Sequence, residues 1–364
     1  MTPYEREIST RVAKKRLYEA YQECGYKMPY LKKLARGRVY LALNPETKSD
    51  AQGAGKGKFS HLGALAESLE HKVYENYSPP VVQDMSVADI RAQNFFEKDP
   101  TIQSLSEFDA LSMKCSPWRC DEAFVWMPEA LVQTNFGWRK SKPEQVTARY
   151  ATNSGAAYGS TFQEAVLHCV LEVVERDFIS ALLFAVLNGS EVDGLIRIEP
   201  QIATDFETYY ILSHRGVAVA VCIESNAPYR SLPAVASGAS FDPRHAVERA
   251  TSEFLQLKTV ADEDTRDEDS IVLKNLNQSD VLKKLVHPAP QQCIAGPTPA
   301  QIDEPFETLW SRIKVLLKDL GFAIRVLYQG KSGQHIVQVY SPILSRFNLI
   351  RQGSIVAPLH FGRL

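Results

Sequence analysis

The 364-residue sequence predicts an α+β fold, and three observations lead there. Segments with helical spacing and segments rich in Val, Ala and Ile are interspersed along the chain, without the regular strand–helix–strand beat of a parallel sheet. The composition, 45% hydrophobic and 23% charged, supplies a large core in one large domain or two. Six scattered cysteines are too few for a disulfide scaffold, so the core has to carry the fold.

Charge and ends narrow the function classes. A formal charge of −2 gives no electrostatic footprint for nucleic acid or an acidic membrane. The first stretch, MTPYEREISTRVAKKRLYEAY, is charged and amphipathic and lacks the apolar centre of a signal peptide. No run approaches a transmembrane length, so a cytoplasmic protein is expected.

In chain order, residues 1 to about 45 read as a charged helix and then a short strand, RVYLALNP, ending in a turn. AQGAGKGKFS reads as a Gly-rich loop and HLGALAESLEHKVYENY as a helix. From about 78 to 150 the chain is irregular, with AFVWMPEALVQ as a strand and its exit. Within it, Cys115 and Cys120 of CSPWRC have no second pair and no close His, so two reduced structural thiols are expected rather than a zinc site. Thr161 with Glu164 fits a capping box, which starts a helix reaching about residue 188. GVAVAVCIES and LPAVASGAS are strand candidates, and DPRHAVERATSEFLQLKTV starts at Asp-Pro and runs as a helix. The acidic run ADEDTRDEDS is expected as a solvated loop and HPAPQQCIAGPTPAQ as a surface connection. ETLWSRIKVLLKDLG is the last helix, and FAIRVLYQ and HIVQVYS are the last strands.

One chemical pattern recurs on three of these helices. Glu164, His168, Glu172 and Glu175 fall within an arc of about 80° on a helix that is otherwise largely apolar. Glu67 and Glu70 share a face of a second helix, and Arg249, Glu253 and Gln256 share a face of a third. A narrow solvent stripe explains one such helix, but three with Glu-x-x-Glu or Glu-x-x-Gln point to a shared site. Oxygen ligands without Cys or clustered His suit Mg²⁺ rather than zinc. Carboxylates brought together need cations between them or must take up protons, and a Mg²⁺-bound polyphosphate meets that need. GAGKGKF fails the Walker pattern, since Phe59 follows Lys58 where Ser or Thr is required. Its glycines and Lys56 can still approach a phosphate.

Together these segments resemble the YcaO family of ATP-dependent enzymes that modify peptide backbone amides. TNSGAAYGSTFQEAVLHCVLEVVERD is similar to the family's small-residue loop and its helix ending Glu-x-x-Glu-Arg-Asp. GKGKFSHLGALAESLEH is similar to its Gly-Lys-Gly segment and first Glu-x-x-Glu, and SGASFDPRHAVERATSEFLQ to its Asp-Pro, Arg-Ala and Glu-x-x-Gln run. The resemblance implies an α+β YcaO-type fold with ATP between sheet and helix layers. It makes 46–364 the YcaO domain and 1–45 an N-terminal helical and strand extension. It further implies Glu67, Glu70, Glu172, Glu175, Glu253 and Gln256 as the Mg²⁺ site, and Lys56, Asn153, Ser154 and Arg249 as ATP contacts. Glu164 and His168 are expected to support that site. The sequence departs from the family at His71, where many members carry Arg, and in its end, GSIVAPLHFGRL, which lacks the Pro-rich tail of azoline-forming members.

The activity implied is ATP-dependent phosphorylation of backbone amides for azoline formation on a ribosomally made precursor peptide, within a microcin-type thiazole/oxazole synthetase complex. An amidine- or thioamide-forming enzyme, or an accessory of a ribosomal-protein modification system, is the alternative. With no room for a fused leader-binding domain, a separate leader-peptide-binding partner is expected, in a homodimer or hetero-complex. A flavin dehydrogenase belongs with the azole version of this chemistry.

Overall fold

The protein is described from a computed structural model covering residues 4–121, 123–134, 141–199, 205–226, 232–264 and 266–358. Helix α1 (Thr10–Glu23) leads into strands β1 (Tyr30–Leu34), β2 (Val39–Leu43) and β3 (Ala51–Lys56), followed by α2 (Ser60–Asn76). Next come β4 (Gln83–Ser86), the short helices α3 (Val87–Arg91) and α4 (Pro100–Gln103), and the hairpin β5 (Ser112–Cys120) and β6 (Ala123–Pro128). Two more short helices, α5 (Glu129–Val132) and α6 (Lys142–Thr147), precede β7 (Ala156–Gly159) and α7 (Phe162–Asn188). Strands β8 (Ile196–Ile198), β9 (Phe206–His214), β10 (Val217–Glu224) and β11 (Val235–Ser240) lead to α8 (Pro243–Asp264) and α9 (Arg266–Leu276). The chain continues through α10 (Asp280–Lys283), β12 (Ile294–Gly296), α11 (Phe306–Asp319), β13 (Ala323–Gln329) and β14 (His335–Tyr340).

The strands form three sheets, ordered β1-β2-β3, β11-β10-β9-β8-β12 and β4-β5-β13-β14-β7, with β6 paired to β5. Pairing is antiparallel except between β12 and β8, as an α+β fold requires. Each sheet ends in a strand that feeds a helix: β3 feeds α2, β7 feeds α7 and β11 feeds α8.

Glycine lets each helix lie against its strand. A Cβ on Gly55 would meet Ser60 O at 1.6 Å, and one on Gly159 would meet Ala165 N at 2.1 Å. On Gly238 it would meet Ala246 O at 2.6 Å. These glycines have ordinary backbone angles, so close approach and not turn geometry is what excludes a side chain. The long helix α7 is apolar over most of its surface because it is packed between the two larger sheets. Leu167, Val170, Leu171, Val174, Phe178 and Leu182 are buried in one cluster with Val219 and Val221 of β10 and Val337 and Val339 of β14.

Several sequence expectations change. AQGAGKGKFS is strand β3 for most of its length, because its glycines serve the contact with α2. The acidic run is helical, divided between the end of α8 and the start of α9. The stretch around CSPWRC is the nine-residue strand β5, with Cys115 buried and both thiols free. Of the final segment, residues 359–364 lie outside the described residues. Among the described residues no helix is long and apolar enough to cross a membrane.

Candidate active site

The three strand–helix units turn their acidic helix faces toward one another. Glu70 interacts electrostatically with Glu172 and Glu67, Glu67 with Glu253, and Glu172 with Glu175 and Glu253. The structure therefore brings five of the six residues implied for the metal site into mutual range. The sixth, Gln256, lies three residues after Glu253 on α8.

The sheet edges hold these carboxylates in place. Terminal strands leave backbone N–H groups without a ladder partner, and here those groups point at the site. Ala54 N of β3 donates to Glu67 Oε2 at 3.1 Å, and Tyr158 N of β7 donates to Glu70 Oε2 at 3.1 Å. Gly155 N, just before β7, donates to Glu172 Oε2 at 3.2 Å. From β11 the hydroxyl of Ser237 donates to Glu175 Oε1 at 2.6 Å. Each unit thus supplies acidic side chains from its helix and hydrogen-bond donors from its edge strand.

The electrostatics are unbalanced in a telling way. Burial pushes Glu70 well above the usual carboxylate range, and Glu172 and Glu67 push it further. Burial also raises Glu67 and Glu172, to which Glu253 adds like charge. Glu253 is held low: burial opposes its charge, but Lys56, Arg176 and Arg249 together outweigh it. Lys56 Nζ stands 2.5 Å from Glu253 Oε2.

Whether these residues fit Mg²⁺ can be judged from their unsatisfied atoms. Gln256 Oε1 is buried without a hydrogen-bond partner, a costly state for an amide oxygen and a natural one for a cation ligand. Negative charge from Glu172 and Glu67 adds to the effect of burial on Glu70, and Arg176 only partly offsets burial at Glu172. All-oxygen donors, an orphan oxygen and excess negative charge fit hard divalent cations and, through them, a polyphosphate. Among the described residues no three His, Cys, Asp or Glu side chains form a compact metal cluster.

The residues implied as nucleotide contacts lie on or beside the same strand–helix units. Asn153 and Ser154 form the loop before β7, with Asn153 Nδ2 3.4 Å from His71 Nε2 on α2. Ser154 shares hydrogen bonds with Thr152 Oγ1 at 3.0 and 3.1 Å. Arg249 lies on α8, one helical turn before Glu253.

Sequence reasoning missed part of the site. Arg176 stands 3.8 Å from both Glu172 and Glu175. Its spacing of four from Glu172 was the available signal, since a long side chain crosses the intervening arc. Glu164 is fully buried and accepts from Ser160 N at 3.0 Å and from the backbone of residues 7 and 8. His168 is held well below the ordinary histidine value by burial and then by Arg6, Arg249 and His245, so it is neutral. No local pattern announced Ser237 or the N-terminal residues, whose partners are distant in sequence.

Fold and site together define a class: an α+β protein whose three acidic helices surround a place for cations and phosphates. A family model described as the ATP- and Mg²⁺-binding YcaO cyclodehydratase matches residues 54–345, so the chain belongs to the YcaO family. Solved structures agree in fold. YcaO from Methanopyrus kandleri, bound with AMPPCP and Mg²⁺, superposes with a TM-score of 0.62 at 16% identity, over 95% of this chain and 92% of that one. A heterocyclase in complex with substrate and cofactor gives 0.63 at 15% identity over 93% of this chain, which spans only 53% of the heterocyclase. A chain of the Escherichia coli microcin synthetase McbBCD complex with pro-MccB17 bound gives 0.59 at 12% identity, covering 86% of this chain and 87% of that one. A search of curated protein sequences finds no significant match.

Proposed function

We propose that this protein uses ATP to activate backbone amides of a ribosomally made precursor peptide for azoline formation, working in the cytoplasm as one part of a synthetase complex. The observation that carries this reading is the acidic constellation itself: raised carboxylates in range of Glu253, an orphan oxygen on Gln256 three residues further along α8, and Lys56, Arg176 and Arg249 acting on Glu253. Glu67, Glu70, Glu172, Glu175, Glu253 and Gln256 would hold Mg²⁺, and Lys56, Asn153, Ser154 and Arg249 would contact the nucleotide. Bound Mg²⁺-ATP supplies the phosphoryl group that turns an amide oxygen into a leaving group.

The chain's own part in this chemistry is positioning and charge balance. Backbone donors from the sheet edges fix the carboxylates before any ligand arrives, so little reorganisation remains at the moment of transfer. Lys56, Arg176 and Arg249 contribute positive charge beside the acidic faces. Capture of the activated carbon by a neighbouring Cys, Ser or Thr side chain expels phosphate, and the peptide loses one water overall. The YcaO family match and the heterocyclase and microcin synthetase folds support azoline chemistry, and those solved complexes support a peptide substrate and protein partners.

Titration calorimetry with a non-hydrolysable ATP analogue tests the central point. Binding heat is expected in the presence of Mg²⁺ and is strongly reduced after its removal with a chelator. Absence of heat from folded protein, with and without Mg²⁺, refutes the ATP reading.

A further inference from the structure

The N-terminal segment passes directly beside Arg249. Glu5 is 3% exposed and adopts φ +61°, a left-handed conformation unusual for a residue with a side chain. That geometry turns its carboxylate inward. Ser240 Oγ donates to Glu5 Oε1 at 2.6 Å, and Arg249 Nη1 donates to Oε2 at 3.1 Å. His245 Nε2 lies 3.8 Å from the same oxygen, and the Tyr4 ring meets the His245 ring edge-on at 5.4 Å.

The segment is also tied on its other side. Glu7 N and Ile8 N donate to Glu164 Oε1 at 2.7 and 3.3 Å, and Arg6 Nη1 stands 3.7 Å from Glu164 Oε2. Residues 4–8 therefore give a carboxylate to the second turn of α8 and take one from the first turn of α7. Local backbone strain held in place by surrounding contacts marks positions where geometry matters.

We propose that Glu5 is the positioning residue for Arg249 and that residues 4–8 form a fixed wall of the nucleotide site. This rests on the reading of Arg249 as a nucleotide contact. Arginine carries large rotamer freedom and five N–H donors in a planar fork. The Glu5 carboxylate engages Nη1, which restrains the fork and uses one of its five donors. An oriented guanidinium binds a phosphate with less ordering cost at the time of binding.

The test is a double-mutant cycle read by calorimetry with the non-hydrolysable ATP analogue and Mg²⁺. Glu5→Gln keeps the size of the side chain and an acceptor for Ser240 but loses the charge-assisted bond, and affinity should fall about tenfold. KM for ATP should rise similarly, with kcat and the KM for peptide little changed. In an Arg249→Lys background, Glu5→Gln should cost almost nothing more. Wild-type affinity in Glu5→Gln, or an undiminished loss in the Arg249→Lys background, overturns the proposal. Tighter binding also overturns it, since the segment would then compete with the nucleotide. Should Glu5→Gln fail to fold, Glu5→Gly serves instead, because glycine suits φ +61° and its lack of a side chain removes the carboxylate without backbone strain. Absence of heat from the wild type is a different result, which removes the ATP reading and this proposal with it.

Discussion

Glu70 shows how a single residue records the purpose of the site. Its folded state favours the protonated form, so between the ordinary glutamate value of 4.5 and its raised folded value the native protein binds more protons than the unfolded chain. Stability is then greatest below that window and falls as pH rises through it. Glu172 and Glu67 act in the same direction, whereas Glu253, held low, contributes stability that is lost only as pH falls. Thermal melts of the nucleotide-free protein should therefore decline as pH is raised above about 5, and saturating Mg²⁺ with the ATP analogue should flatten the decline. Glu70→Gln, which keeps an acceptor for Tyr158 N, should raise the nucleotide-free melting temperature; an unchanged or lower value contradicts the picture of uncompensated charge. Glu172→Gln and Glu253→Gln should keep the fold but lower ATP turnover by about a hundredfold or more, measured as phosphate release with substrate present. Near wild-type turnover in both would reduce these residues to structural charges. The Glu-x-x-Glu spacings were legible in the sequence because a helix face is a local property. Arg176, Ser237 and Glu5 were not, because what defines them is a partner brought near by tertiary packing.

At the scale of the element, strand glycines govern how closely each helix can approach. Gly55→Ala places a Cβ 1.6 Å from Ser60 O and 2.4 Å from Ala64 N, both backbone atoms that cannot step aside without moving α2 from β3. Destabilisation of several kcal/mol, about 3 or more, or loss of soluble protein is expected. Gly63→Ala, within α2, is the matched control. Its Cβ would approach Gly55 Cα at 3.3 Å, and the gain in helix propensity of about 1 kcal/mol offsets that crowding. Equal melting temperatures for the two variants would show that strand–helix contact is not limiting. The same glycines explain a misreading. A Gly-rich stretch ordinarily signals a loop, but in AQGAGKGKFS glycine is required by a neighbour that sequence pattern does not reveal. Helices α2, α7, α8 and α11 and strands β10, β11, β13 and β14 were legible, since each repeats its own period over most of its length. Strand β5 and the acidic end of α8 were not, one carrying Pro117 and the other a charge run typical of loops.

For the molecule as a whole, the prediction concerns partnership. A flexible peptide loses conformational entropy with every residue fixed in a site, and tethering its leader on a bound protein offsets that cost by raising the local concentration of the core. The purified chain alone should modify its precursor slowly or not at all, and addition of a leader-binding partner should restore turnover. Mass spectrometry reads both rate and chemistry: each azoline removes about 18 Da, whereas a thioamide adds about 16 Da, from the atoms exchanged after amide activation. Efficient modification by the chain alone refutes the partner requirement, and a mass gain replaces the azoline assignment. The arrangement of the sheets has one more consequence, which concerns solubility. Open strand edges template intermolecular pairing and fibril growth. In β3 and β7 some of the edge N–H groups are capped by the same carboxylates that would hold Mg²⁺. Replacing Glu67 and Glu70 by leucine would remove those caps and add apolar surface, so the double variant should form thioflavin-positive aggregates as well as lose activity.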